Sequence, residues 1–484
     1  MKQFTLLLSL LLSGFLSFSQ NVGIGTTAPD NSAQLDIVST SKGLLVPRLT
    51  TAQRTGIGTP AKGLLVFDTD TNGFWFYNGT VWINMQTLTN AWSLVGNAGT
   101  DSLINFVGTT DNKPLVFKIN NTPAGFVGNN GNVFLGKGSA TGSTTAVDNI
   151  AIGKDALKNN TDRSNLVAIG DSALYNNNST GASQSYHATG NTALGSKALY
   201  SNTIGYANTA SGSYSLSYNS TGSNNTANGS NSLSSNTIGY ANTVSGSSSL
   251  SSNTIGYANT ANGSYSLSYN TTGNYNTANG SYSLSFNTTG NYNTANGANS
   301  LSFNTTGNYN SANGTNSLYV NTTGAGNTAN GSFSLSSNTT GNYNSANGVY
   351  SLSSNTTGNY NSTNGTNSLY SNNTGYSNVA IGVSALFNNT DKNNLVAIGD
   401  SALYNNGTGA TQSYHATENT ALGSKALYSN TTGLSNTANG YRSLYSNTTG
   451  LANTANGVLS LSSNTTGQFN TANGIYSLFK NTTG

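Results

Sequence analysis

The constraint that decides this chain is a repeat of seventeen residues. Asn276–Tyr292 reads NTANGSYSLSFNTTGNY, and Asn293–Tyr309 follows at once as NTANGANSLSFNTTGNY. A fixed period this short is the signature of a solenoid, in which each repeat is one turn that buries its apolar side only against its neighbours. The glycine that closes NTANG or its variant NxAIG serves as a landmark. It recurs nineteen times from Gly153 to Gly474, and every step is 17 residues except Gly170 to Gly195 (25) and Gly399 to Gly423 (24). A leucine stands four places after each landmark, including Leu157, Leu233, Leu284, Leu352 and Leu478.

These regularities predict an all-β fold: a parallel β-roll of nineteen narrow coils over residues 149–484. NTTG and NTIG read as turns, since Asn bonds its own backbone and Gly takes positive φ without a Cβ clash. The segments between turns, such as Thr277–Asn279 and Ser283–Phe286, read as two short strands per coil. At ~4.8 Å per coil the stack would be roughly 90 Å long. The leucines would form an inner row beside Ala227, Ala278, Ala295 and Ala329. One buried leucine contributes only about 1.5–3 kcal/mol, so coil-to-coil hydrogen bonds and contact with partner chains are expected to add to it.

Before the landmark glycine stands Ile152, Ile169, Leu194, Ile381, Ile398 or Leu422 in the coils that carry charge, and Asn228, Asn279 and Asn296 in central ones. The asparagines read as a ladder of stacked amides, with a solvated face as the alternative. Tyr265, Tyr269, Tyr275, Tyr282 and Tyr292 read as rings stacked from coil to coil, or else as an aromatic surface for a glycan, a matrix protein or another fibre. Two copies of one insertion, near residues 182–190 and 410–418, hold the only histidines, His187 and His415. They are expected to project from the roll as possible contact loops.

Lys2, the apolar run Phe4–Phe18 and the small residues Ser17 and Ser19 read as a signal peptide over residues 1–20. Residues 21–85 read as a small β module with turns at Asp70–Gly73 and Asn78–Gly79, and with Phe74, Trp75, Phe76, Tyr77 and Trp82 as a hairpin core. Residues 86–148 read as a second β-rich segment with a linker.

Composition narrows the function. Charged residues make up 6% of the chain, against about 25% in ordinary domains, and none occurs between Ala198 and Thr390. No basic patch invites nucleic acid, no stretch beyond the leader is apolar enough to span a membrane, and there is no cysteine. No phosphate loop, metal-ligand spacing or nucleophile elbow is present. We therefore expect no catalysis and no cofactor.

NIAIGKDAL (Asn149–Leu157), NLVAIGDSAL (Asn165–Leu174) and NVAIGVSAL (Asn378–Leu386) resemble the head repeats of trimeric autotransporter adhesins of the YadA-like type. The resemblance implies a left-handed parallel β-roll wound into a homotrimer, with adhesion to glycans or host matrix proteins at the cell surface. Residues 21–148, with NVGIGTT and NFVGTTDNKPL, look like the N-terminal modules of secreted Bacteroidetes proteins related to phage tail fibres. No stalk, anchor barrel or chaperone domain is legible before Gly484, so a truncated product is expected. The leading expectation is a secreted, surface-displayed adhesin. The alternatives are a fibre shaft without its own receptor and an ice-binding solenoid.

Overall fold

A computed structural model describes residues 21–85, 98–101, 103–143, 145–178 and 183–484. The expected signal peptide, residues 1–20, lies outside the described residues. The chain divides after Gly108 into two compact units.

In the N-terminal unit, β1 (Val22–Ile24) pairs in parallel with β2 (Leu35–Ile37). A four-stranded sheet follows: β3 (Arg48–Leu49), β4 (Leu65–Asp68), β5 (Gly73–Tyr77) and β6 (Trp82–Asn84), antiparallel from β4 onward. A short helix, α1 (Thr51–Thr55), opens with a reciprocal capping box between Thr50 and Gln53. It delivers Arg54 to Asp68, with Nε 2.8 Å from the carboxylate and both side chains buried. The Arg54 guanidinium lies 3.8 Å from the Trp75 ring centroid, and Tyr77 meets Trp82 edge-on at 5.6 Å. Trp75, Phe76, Tyr77 and Trp82 thus lie half-buried on the β5–β6 hairpin, while Phe74 is exposed.

Burial alone would push the Asp68 carboxyl up. The Arg54 guanidinium, the Thr51 hydroxyl and the N–H groups of Thr71 and Asp70 outweigh it and hold the group well below the usual carboxylate range. A carboxyl depressed by folding contributes stability above its unfolded value near 3.8 and loses it as pH falls toward the folded value. The tryptophan fluorescence of this unit is therefore expected to report constant stability from pH 7 to about 5 and a decline below about 4. Asp68→Asn should lower stability at pH 7 and flatten that decline. An unchanged acid slope would remove Asp68 from the account.

In the second unit, β7 (Leu115–Ile119), β8 (Thr122–Val127) and β9 (Val133–Leu135) form an antiparallel meander. β9 then pairs in parallel with β10 (Asn149–Ile152), and nineteen strands, β10 to β28 (Thr471–Asn473), follow in chain order, one per coil. The ladder thus begins one coil before Asn149: Gly136, with φ 134°, already occupies the landmark conformation. The register is the repeat itself, with Thr277, Ala278 and Asn279 opposite Thr294, Ala295 and Asn296. Alternate strand residues face inward, so Ala278 and its counterparts are buried against the leucine row.

Each coil holds one strand, not two. Ser283–Phe286 is a run of turns, because Tyr282 (φ 56°) and Leu284 (φ 50°) both adopt left-handed backbone, which no strand accommodates. The alternation sends successive N–H groups in opposite directions along the stack. Tyr282 N donates to Ser264 O of the coil before (3.0 Å) and Leu284 N to Ser300 O of the coil after (2.9 Å). A left-handed leucine costs about 1–2 kcal/mol. Burial of its side chain offsets that, and Leu157, Leu233, Leu284 and Leu352 are all fully buried. Leu478, by contrast, in the last coil described, is 48% exposed.

Two asparagine rows run inside the stack. Asn287, first residue of an NTTG turn, donates to Asn270 Oδ1 (2.7 Å) and to Gly290 O (2.9 Å), and accepts from Asn304 (2.7 Å). Asn276, first residue of NTANG, donates to Asn259 Oδ1 (3.2 Å) and reaches the same Gly290 O (2.8 Å). Both rows are buried through the central coils, where each amide finds partners in its own coil and in neighbouring ones. In two of the charged coils Leu166 and Leu395 replace the second-row asparagine and fill the core instead.

Candidate functional site

With the interior filled, function falls to the surfaces. The sheet presents an outward face built from the strand residues that alternate with the buried alanines. At its first coils this face is aliphatic, with Ile150, Ile152, Ile169 and Leu194 exposed, and it turns aliphatic again at Ile381 and Ile398. Between them it carries threonine and asparagine, as in Thr277 and Asn279.

The outward asparagines form the expected amide ladder over part of this length. Asn262 donates to Asn279 (2.9 Å), Asn279 to Asn296 (2.8 Å) and Asn296 to Asn313 (2.7 Å), and the run continues to Asn347. Asn228 stands outside the ladder. Its register partners are Ser211 and Ser245, which are too short to relay an amide. The sequence reading missed the two buried rows, which are the more extensive. Their signal was present: asparagine keeps those places in nearly every coil, whereas the outward place varies.

The turn layer carries the aromatic rows. Tyr265 stacks on Tyr282 at 5.1 Å, Tyr269 on Phe286 at 4.9 Å, Tyr275 on Tyr292 at 4.9 Å, and Tyr292 on Tyr309 at 5.1 Å, all with planes within 8°. All five tyrosines singled out from the sequence therefore stack. In the middle of a run both ring faces are covered by neighbouring coils, which leaves edges and hydroxyls to solvent.

His187 and His415 occupy equivalent loops thirteen coils apart, so no site unites them. The loops stand out at residues 183–186 and 411–414, which are exposed, and are tied down just after them. Ala188 N donates to Ile204 O (3.0 Å) and Ala416 N to Thr432 O (3.1 Å), and both alanines are buried. Each histidine is half-buried, meets Tyr186 or Tyr414 edge-on at 4.8 Å, and has a buried Nδ1 without a partner. A short apolar plug, Ala188 or Ala416, pulls each loop against the roll. Among the described residues no group of three or more histidines and carboxylates converges, and no helix is long and apolar enough to cross a membrane.

Residues 23–102 match the model of the phage tail-like trimerisation region. No curated protein and no solved structure matches the chain. The match lies in the N-terminal unit and supports association of the chain as a trimer. Together with the parallel solenoid of seventeen-residue coils, it gives a fibre-like β-roll protein.

Proposed function

We propose that this protein is a secreted, surface-displayed trimeric fibre that acts by adhesion and carries out no catalysis. The observation that carries the proposal is the combination, in one chain, of a trimerisation region and a nineteen-coil roll whose interior is satisfied by its own amides and leucines. Such a roll has nothing left to do inside and a long patterned surface to offer outside. The exposed aliphatic stretches at Ile150–Ile169 and Ile381–Ile398 are the natural places for the copies to meet, since contiguous apolar surface on a sheet face marks association. The AIG motifs at those same strands support kinship with YadA-like heads, and the leader-like N-terminus supports export.

A second reading is favoured by the trimerisation match itself: a structural shaft that spaces other parts and binds nothing. Light scattering on the purified full chain is expected to give three times the chain mass, with a β-rich circular dichroism spectrum. A monomer would sink the trimeric fibre. Beads coated with the trimer are expected to adhere to immobilised glycans or matrix proteins; a trimer that adheres to none of them is a shaft.

A further inference from the structure

Along the turn layer runs a groove between two rows of side chains. One row lies two places after each landmark glycine and includes Lys197, Tyr214, Asn299, Asn316 and Phe333. The other lies five and six places after it and includes Tyr200, Tyr218, Tyr319 and Val320. Where rings follow one another they stack along the groove walls, as Tyr265 and Tyr282 do in one row and Tyr269 and Phe286 in the other. Near coil 314 the stacking fails on both sides at once.

Phe333 stacks on Tyr350 at 5.1 Å through one face only, because the preceding coil has Asn316 where a ring would stand. Tyr319 meets Phe303 edge-on, at 86°, and the following coil offers Ser336 and Ser337 in place of an aromatic. The result is a hollow of about 410 Å³ lined by these residues with Asn299 and Val320. That is the size of an ordinary small-molecule site. The side-chain amides of Asn299 and Asn316 form no hydrogen bond, although their counterparts in the buried rows form two or three.

We propose that this hollow binds a neutral carbohydrate, and that the groove takes a linear chain of it. This deepens the adhesive reading and rests on it. A half-buried ring with no aromatic neighbour on one face can meet the C–H face of a pyranose, and a side-chain amide offers one acceptor and two donors to a pair of hydroxyls. No Asp, Glu, Lys or Arg lies between Ala198 and Thr390, so nothing there holds an ionic ligand. A second hollow of about 180 Å³, lined by Lys197, Tyr200, Tyr214, Ser217 and Tyr218, sits in the same groove; its one cation, the Lys197 amine, donates to the Tyr214 hydroxyl (3.2 Å). Lys197 and Asn299 are six coils apart in register, roughly 29 Å at ~4.8 Å per coil. Two hollows along one groove suit an extended polymer better than a compact ligand.

The test titrates the full chain by calorimetry with cellohexaose, maltohexaose and mannohexaose, with a hyaluronan hexasaccharide as the anionic control. One neutral hexasaccharide is expected to bind saturably. Phe333→Ala and, separately, Asn316→Ala should each weaken it at least tenfold while keeping the wild-type dichroism spectrum. Asn316→Ala removes no packed ring, so it carries the result if Phe333→Ala unfolds. The proposal is overturned if no neutral hexasaccharide binds, if binding survives both substitutions, or if the anionic control binds as well. Coated beads separate the two readings. Beads that adhere while no hexasaccharide binds remove the groove and keep the adhesin; beads that adhere nowhere remove the adhesin, while saturable binding that both substitutions weaken still supports the groove.

Discussion

Gly280→Ala is expected to break the solenoid into two independently melting halves. Gly280 has φ 136°, a conformation open to glycine alone, and an added Cβ would stand 2.6 Å from Gly297 O and 2.7 Å from Gly297 C in the next coil. Both are backbone atoms held by the ladder, so no side chain can swing away to make room. The strained conformation costs about 1–3 kcal/mol; relieving the contact means forcing coils apart, which should bring the total to about 4 kcal/mol or more, the range reserved for gross structural insults. In a stack where each coil touches only its neighbours, a defect acts at one interface and divides cooperative unfolding there. Gly474→Ala is the internal control: it alters the same place in the last coil, where nothing lies within 4 Å of the added carbon. Thermal melts followed by dichroism should show two transitions for Gly280→Ala. For Gly474→Ala, which keeps the backbone strain at φ 111° but meets no neighbour, they should show a single transition lowered by no more than that strain, about 1–3 kcal/mol. If Gly280→Ala melts like the parent, the close approach does not govern stacking.

Asn287→Ala is expected to have the second-largest effect. The substitution removes two donated bonds and one accepted bond, and strands the Asn270 carbonyl oxygen and an Asn304 N–H in a fully buried row. Each buried group left unsatisfied costs about 1–3 kcal/mol, so the loss should be roughly 2–5 kcal/mol at a position that reads in sequence as an ordinary turn. Asn279→Ala, on the outward row, breaks the same kind of amide relay where water replaces the lost partners and should cost under about 1 kcal/mol. Hydrogen exchange of the flanking Thr288 and Thr305 amides, which bond from coil to coil, would locate the damage. Equal effects at the two positions would refute the distinction between buried and outward ladders.

That pair of asparagines shows how far the sequence could be read. The period, the coil boundaries, the leucine–alanine interior and the ring stacks follow from residues that repeat with an unmistakable chemical character. The second strand of each coil did not survive, because the left-handed conformation at Tyr282 and Leu284 is dictated by packing and contradicts the propensity of both residues. The buried amides stayed hidden for a related reason. Asn287 does make the local turn bond expected of it, to Gly290 O, and its longer-range bonds leave no separate mark on composition. The hollow at Phe333 was illegible because it arises from absences: a ring missing at Asn316 and another at Ser336.

The ladder also has a genetic consequence. Because every central strand meets its neighbours in the same register, removing or duplicating any whole number of seventeen-residue units leaves all rows closed. Gain or loss of whole units during evolution would therefore yield folded products. The fibre's reach would change in increments of ~4.8 Å, and lineages could tune how far it extends without inventing a single new contact.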